Sequence, residues 1–131
     1  MKKKWILFYV FFGLSLFVFK SFAQKDIFFK QIEFKLEEIS KNSYENEYFI
    51  TLNLNKGTTY KFVVTNNNIK YPGKAIIQIL DGNNLVGTNV TSSNYYEKFQ
   101  FKCNKTGFYD LLIKFKEGEL GDSVIDIYMV Q

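Results

Sequence analysis

From Glu47 onward the chain alternates apolar and polar residues with a period of two, and that alternation decides what it can fold into. In EYFITLNL, Tyr48, Ile50, Leu52 and Leu54 share one side, while Thr51, Asn53 and Asn55 take the other. Successive side chains of a strand point to opposite faces, so this is the pattern of a half-buried strand. TTYKFVVT repeats it with Tyr60, Phe62 and Val64, and KAIIQIL supplies the next apolar run. YYEKFQFKC aligns Phe99, Phe101 and Cys103; FYDLLIKF aligns Tyr109, Leu111, Ile113 and Phe115; SVIDIYMV aligns Ile125, Ile127 and Met129. Between these runs stand NKGT, NNNIKYPG, DGNN, TSSN, NKTG and EGELGD, all rich in the residues that turns require. Short strands punctuated in this way predict an all-β chain, an antiparallel β-sandwich or jelly roll of about 7–8 strands.

The segment 26–40 reads in two ways. Phe28, Ile32, Leu36 and Ile39 make a helical stripe, whereas Ile32, Phe34 and Leu36 make one face of a strand. The β character of everything downstream selects a strand over about residues 31–36.

The first residues carry an address. Lys2, Lys3 and Lys4 precede an apolar run from Trp5 to Phe19, and the small residues Ser21 and Ala23 follow it. This predicts a signal peptide over residues 1–23, cleaved before Gln24. An uncleaved anchor is the rival reading, but the run is shorter than the roughly 20 residues that span a bilayer, and Lys20 closes it. No cysteine stands where a lipid would be attached. Removing the leader leaves 131 − 23 = 108 residues, the size of one domain, exported to the periplasm or beyond the cell and without a membrane span.

The basic balance of the chain belongs to that leader. The sequence has 17 basic and 13 acidic residues; four of the lysines lie in the leader, so 17 − 4 = 13 remain against 13 acids. Every one is lysine, and arginine, whose planar fork reads phosphates and base edges, is missing. Nucleic acid is therefore not an expected partner.

Histidine is also missing, which excludes His-dependent triads and most catalytic zinc sites. No glycine-rich nucleotide motif occurs, and no cofactor is implied. Cys103 cannot form an internal disulfide, being alone, and its phase with Phe99 and Phe101 makes it a buried packing thiol. Among the acids, Glu97 is in phase with the same two phenylalanines, but carboxylate hydrolysis needs a facing pair about 5 to 9.5 Å apart, and nothing singles one out. Asp81-Gly82-Asn83-Asn84 has oxygens suited to calcium, yet it is foremost a hairpin turn.

Aromatic residues are the remaining binding signal. Tyr95 and Tyr96 follow the TSSN loop and Tyr71 lies in NNNIKYPG, so tyrosines and asparagines would suit a sugar ring or a peptide if the two loops met. Strands also favour tyrosine for packing alone. Asp122-Ser123-Val124 matches a loose O-glycosylation triplet, which places Ser123 on an accessible turn.

The stretches 56–62, 76–84 and 106–109 carry a Gly turn before a Tyr-x-Phe strand, an Asp with a Gly/Asn turn closing a strand, and a Thr-Gly-x-Tyr entry to a core strand. In these the chain resembles β-sandwich domains of the bacterial pre-peptidase C-terminal type. Its YY-x-x-F-x-F-x-C-x-x-T-G-x-Y core, like its Ala-Gln leader junction, is similar to that of small exported proteins of the Bacteroidetes. The resemblance implies a non-catalytic accessory, adhesive or binding role, with an envelope protein or a surface polysaccharide as partner. With no catalytic domain read ahead of this one in the sequence, such a role is expected to be played in trans.

Overall fold

The alternation becomes geometry in the computed structural model, which describes residues 25–131. The leader and its cleavage before Gln24 lie outside the described residues. Eight strands follow in order: β1 (Ile27–Leu36), β2 (Glu47–Leu54), β3 (Thr59–Asn66), β4 (Ile76–Asp81), β5 (Asn84–Thr88), β6 (Lys98–Lys102), β7 (Gly107–Lys114) and β8 (Gly121–Val130). One 3₁₀ turn, Ser43–Asn46, leads into β2.

The strands form two four-stranded sheets of order β1-β8-β3-β6 and β2-β7-β4-β5. Every pairing between neighbouring strands is antiparallel. Apart from the β4–β5 hairpin, each strand is followed by one in the opposite sheet, and this winding makes the sandwich a jelly roll. At the hairpin, Gly82 takes φ 63°, a left-handed conformation that side chains resist.

The inward phase of every strand meets in one core. Tyr60, Phe62, Ile125 and Ile127 of the first sheet and Leu54, Ile77, Ile79, Leu111 and Ile113 of the second are almost wholly buried. Phe62 stacks on Phe99 at 4.7 Å between ring centres, and Phe34 on Phe115 at 5.1 Å. Phe115 lies so close to the start of β8 that a Cβ on Gly121 would meet its ring at 2.2 Å.

The ambiguous segment is a strand, and a longer one than residues 31–36. Its register with β8 slips between Phe28 and Lys30, so Phe29 is an extra residue. Phe29 packs on Tyr60 with ring centres 5.4 Å apart, while Phe28 stays outside against Tyr128. The bulge breaks the period of two at the point where the sequence ceased to read as a strand.

Candidate binding surfaces

The loops 67–75 and 89–97 do meet, at the end of the sandwich where β3 finishes and β4 begins. Two asparagines hold them together. Asn89 is completely buried; its Oδ1 accepts from the Ile77 amide at 2.8 Å, and its Nδ2 donates to the carbonyls of Ala75 (3.0 Å) and Tyr96 (3.1 Å). Asn66 Oδ1 accepts from the Ala75 amide and the Ser123 hydroxyl, and its Nδ2 donates to the Tyr95 hydroxyl. A side-chain amide presents acceptor and donors in one plane, so each asparagine replaces missing strand pairings where the chain leaves the sheet. Only the fold distinguishes these two from the other asparagines of the chain.

The three candidate tyrosines do not converge. Tyr95 donates to the Ala75 carbonyl at 2.8 Å while accepting from Asn66, so its hydroxyl is committed to the loop junction. Burial holds that phenol above its ordinary range, and Glu97 adds to the effect. Tyr71 donates to Glu37 at 3.2 Å, just beyond β1. Glu37 is held below the usual carboxylate range, first by its hydrogen bond with Lys35 and then by that with Tyr71. Tyr96 is 46% exposed and borders a cleft between β5 and β6. Among the described residues no ring contact joins any two of these tyrosines.

Ser123 is not on a surface turn. It faces inward from β8, 1% exposed, with its hydroxyl donating to Asn66. The triplet was right for a turn in composition, but β8 begins at Gly121 and the strand phase turns Ser123 into the core. Cys103 is fully buried, its Sγ 3.1 Å from the Lys105 carbonyl and 3.6 Å from the Tyr109 hydroxyl. Tyr109 in turn donates to Lys105. The hydrogen bond with Cys103, then burial, pushes the Tyr109 phenol up to about 12. The Asp81-Gly82-Asn83-Asn84 stretch forms the β4–β5 turn, with the Asp81 carboxylate 3.3 Å from Lys105 Nζ. Glu97 is exposed just before β6. Among the described residues no three potential ligands gather to hold a metal, and no helix is long and apolar enough to cross a membrane.

A larger surface emerges from the register of the strands. On the outside of β1-β8-β3-β6, polar and charged neighbours face each other, as Lys35 and Asp122, Gln31 and Asp126, and Lys61 and Gln100 do, with Val63, Val124, Phe28 and Tyr128 between them. Gln31 donates to Asp126 at 2.8 Å, and Lys61 pairs with Asp26. The outside of β2-β7-β4-β5 differs. One row runs Phe49, Leu112, Gln78, Thr88; the next runs Thr51, Asp110, Leu80, Leu85; Asn53 and Phe108 flank them. Phe108 is 72%, Phe49 59% and Leu85 52% exposed. The outer face of a two-layer antiparallel sandwich ordinarily alternates to polar residues; on this sheet Phe49, Leu112, Leu80, Leu85 and Phe108 stand among polar ones, with Glu47 and Lys114 in the row beyond Phe49, and on the other sheet Phe28 is also exposed.

The fold defines a small jelly-roll domain whose second sheet exposes phenylalanines and leucines among polar residues on its outer face. It is similar to the crystal structure of PliG from Aeromonas hydrophila, a periplasmic lysozyme inhibitor of g-type lysozyme: TM-score 0.51, 12% sequence identity, covering 84% of this chain and 92% of that one. At that identity the likeness is one of fold. No protein-family model and no curated protein matches the chain, so the pre-peptidase C-terminal resemblance reaches only as far as a small all-β domain of two antiparallel sheets.

Proposed function

We propose that this is a non-enzymatic, exported binding module of the cell envelope or its surroundings, and that it holds a protein partner through the apolar outer face of β2-β7-β4-β5. The exposure of Phe49, Leu85 and Phe108 on that face carries the reading. A soluble domain rarely leaves such residues together in water unless another surface covers them, and aromatic residues are enriched where proteins meet. The similarity in fold to a protein described as a lysozyme inhibitor supports a role played on another protein, and inhibition of a lysozyme is the first such activity to assay. A glycan-binding role draws less support, because the Tyr95 hydroxyl is committed internally, Tyr71 is bonded to Glu37 and Tyr96 borders the separate β5–β6 cleft.

The test is affinity capture from native envelopes with wild-type protein and with Phe49→Asp and Phe108→Asp variants. A partner retained by the wild type and lost by both variants, with melting temperatures unchanged, is the expected outcome. Equal capture by all three would remove the face from the binding role, and a dimer of the wild type in sedimentation would assign it to a second copy of the chain.

A further inference from the structure

The open side of the sandwich, where β5 ends one sheet and β6 ends the other, carries a second surface, which adjoins the apolar face at Thr88. A cleft of about 750 Å³ follows it, bordered by residues 86–88 of β5 and by the whole of β6, Lys98–Lys102. Phe99, Phe101 and Tyr109 form its apolar wall. Among the described residues no strand pairs with this edge of β6.

Backbone direction identifies the groups left open. The Cys103 amide donates to the Thr58 carbonyl at 3.0 Å, and the Glu97 carbonyl accepts from the Val64 amide at 2.7 Å. Alternate residues of a strand present their amide and carbonyl to opposite edges, so Lys98, Gln100 and Lys102 direct theirs away from β3 and toward the cleft. Their side chains lie on the charged outer face, whereas those of Phe99 and Phe101 point inward. Lys98, Lys102 and Lys105 surround the opening; the carboxylate lining it, Asp81, is already paired with Lys105.

We infer that this edge takes up an extended acidic polypeptide segment by strand addition. β6 is five residues long, so about 17 Å of main chain is available for pairing. Side chains of an added strand alternate as those of β6 do. One set enters the cleft against the phenylalanines and must be apolar; the other lies beside Lys98 and Lys102 and is acidic by charge complementarity. Lysines on a free strand edge also deter indiscriminate pairing, and the same charges then choose which strand is admitted. An open row of main-chain donors and acceptors at ladder spacing matches the backbone of an extended polypeptide, a spacing that sugar hydroxyls do not repeat.

The probe is a capped, fluorescently labelled peptide of four Glu-Val repeats, compared with four Lys-Val repeats and with a polygalacturonate oligomer of equal charge, each titrated against the mature protein. The Glu-Val peptide is expected to bind at least tenfold more tightly than the Lys-Val peptide and to weaken with added salt. Gln100→Pro, which removes an amide facing away from β3, should abolish binding while leaving the melting temperature nearly unchanged. Lys98→Glu with Lys102→Glu should reverse the preference between the peptides and provides the reading if the proline variant fails to fold. Equal binding of both peptides, no binding of the acidic one, a preference for polygalacturonate, or full binding by a folded Gln100→Pro variant would each overturn the inference. Phe108→Asp, on the other face, should leave peptide binding intact, which separates this site from the proposed partner face.

Discussion

Asn89 shows how much a single side chain can hold when the backbone around it leaves the sheet. Replacing it with alanine would strand the Ile77 amide in the interior and remove a donor from the part-buried Tyr96 carbonyl, while the Ala75 carbonyl keeps the Tyr95 hydroxyl. Unpaired buried groups of this kind cost about 1–3 kcal/mol each. Asn89→Ala is therefore expected to lower unfolding stability by roughly 1–3 kcal/mol in urea titrations, whereas an exposed residue such as Asn94 should tolerate the same change. Tyr109 sets an alkaline limit. The folded chain keeps the Tyr109 proton up to about pH 12, while an unfolded tyrosine releases it near 10. The unfolded state thus loses protons first as pH rises, so the contribution is whole below about pH 10 and fades toward 12. Melting curves over that range should fall less steeply for Tyr109→Phe, with a residual slope from Tyr95, whose phenol is also raised.

Strand position within each sheet predicts how the elements differ in local stability. β3, β8, β4 and β7 are paired on both sides, while β5 and β6 are five-residue edge strands. Hydrogen exchange should be slowest in β3, β7 and β8 and fastest in β5, whose register is also broken beside Leu80. Comparable protection of β5 and β8 would contradict that order. The central strands were legible in the sequence because their inward residues recur at every second position, as Tyr60, Phe62 and Val64 do in β3, while β4 read only as an apolar run bounded by turns. β1 was legible only over its second half, since the bulge at Phe29 puts an inward ring out of phase with Ile32. The role of Asn89 was not legible, because its partners Ala75 and Tyr96 are brought to it by the folding of two loops and by no local pattern. The apolar sheet face was present in the sequence as Phe49, Leu85 and Phe108, but only the register aligns the rows in which they stand.

As a whole the molecule depends on one continuous core with no covalent link across it, since Cys103 is a free, buried thiol. Labelling of Cys103 by a thiol reagent should therefore track global unfolding, with rates in native buffer far below those in denaturant and a midpoint matching that of far-ultraviolet circular dichroism. Rapid native labelling would reveal a local opening of the 103–109 turn. Reductant should leave the melting temperature unchanged, in keeping with a domain that needs no oxidising compartment to fold.

The pairing of β1 with β8 places Ile27 directly opposite Met129. Whatever is attached ahead of Lys25 or beyond Gln131 therefore departs from one corner of the charged sheet. A tether at either end would hold the domain in nearly the same pose, with the apolar sheet turned away from the point of attachment. Fusion to a surface or reporter is consequently indifferent to which end is used, and a short linker across that corner would allow the chain to be reopened elsewhere, at the β4–β5 turn for example, without redrawing either sheet.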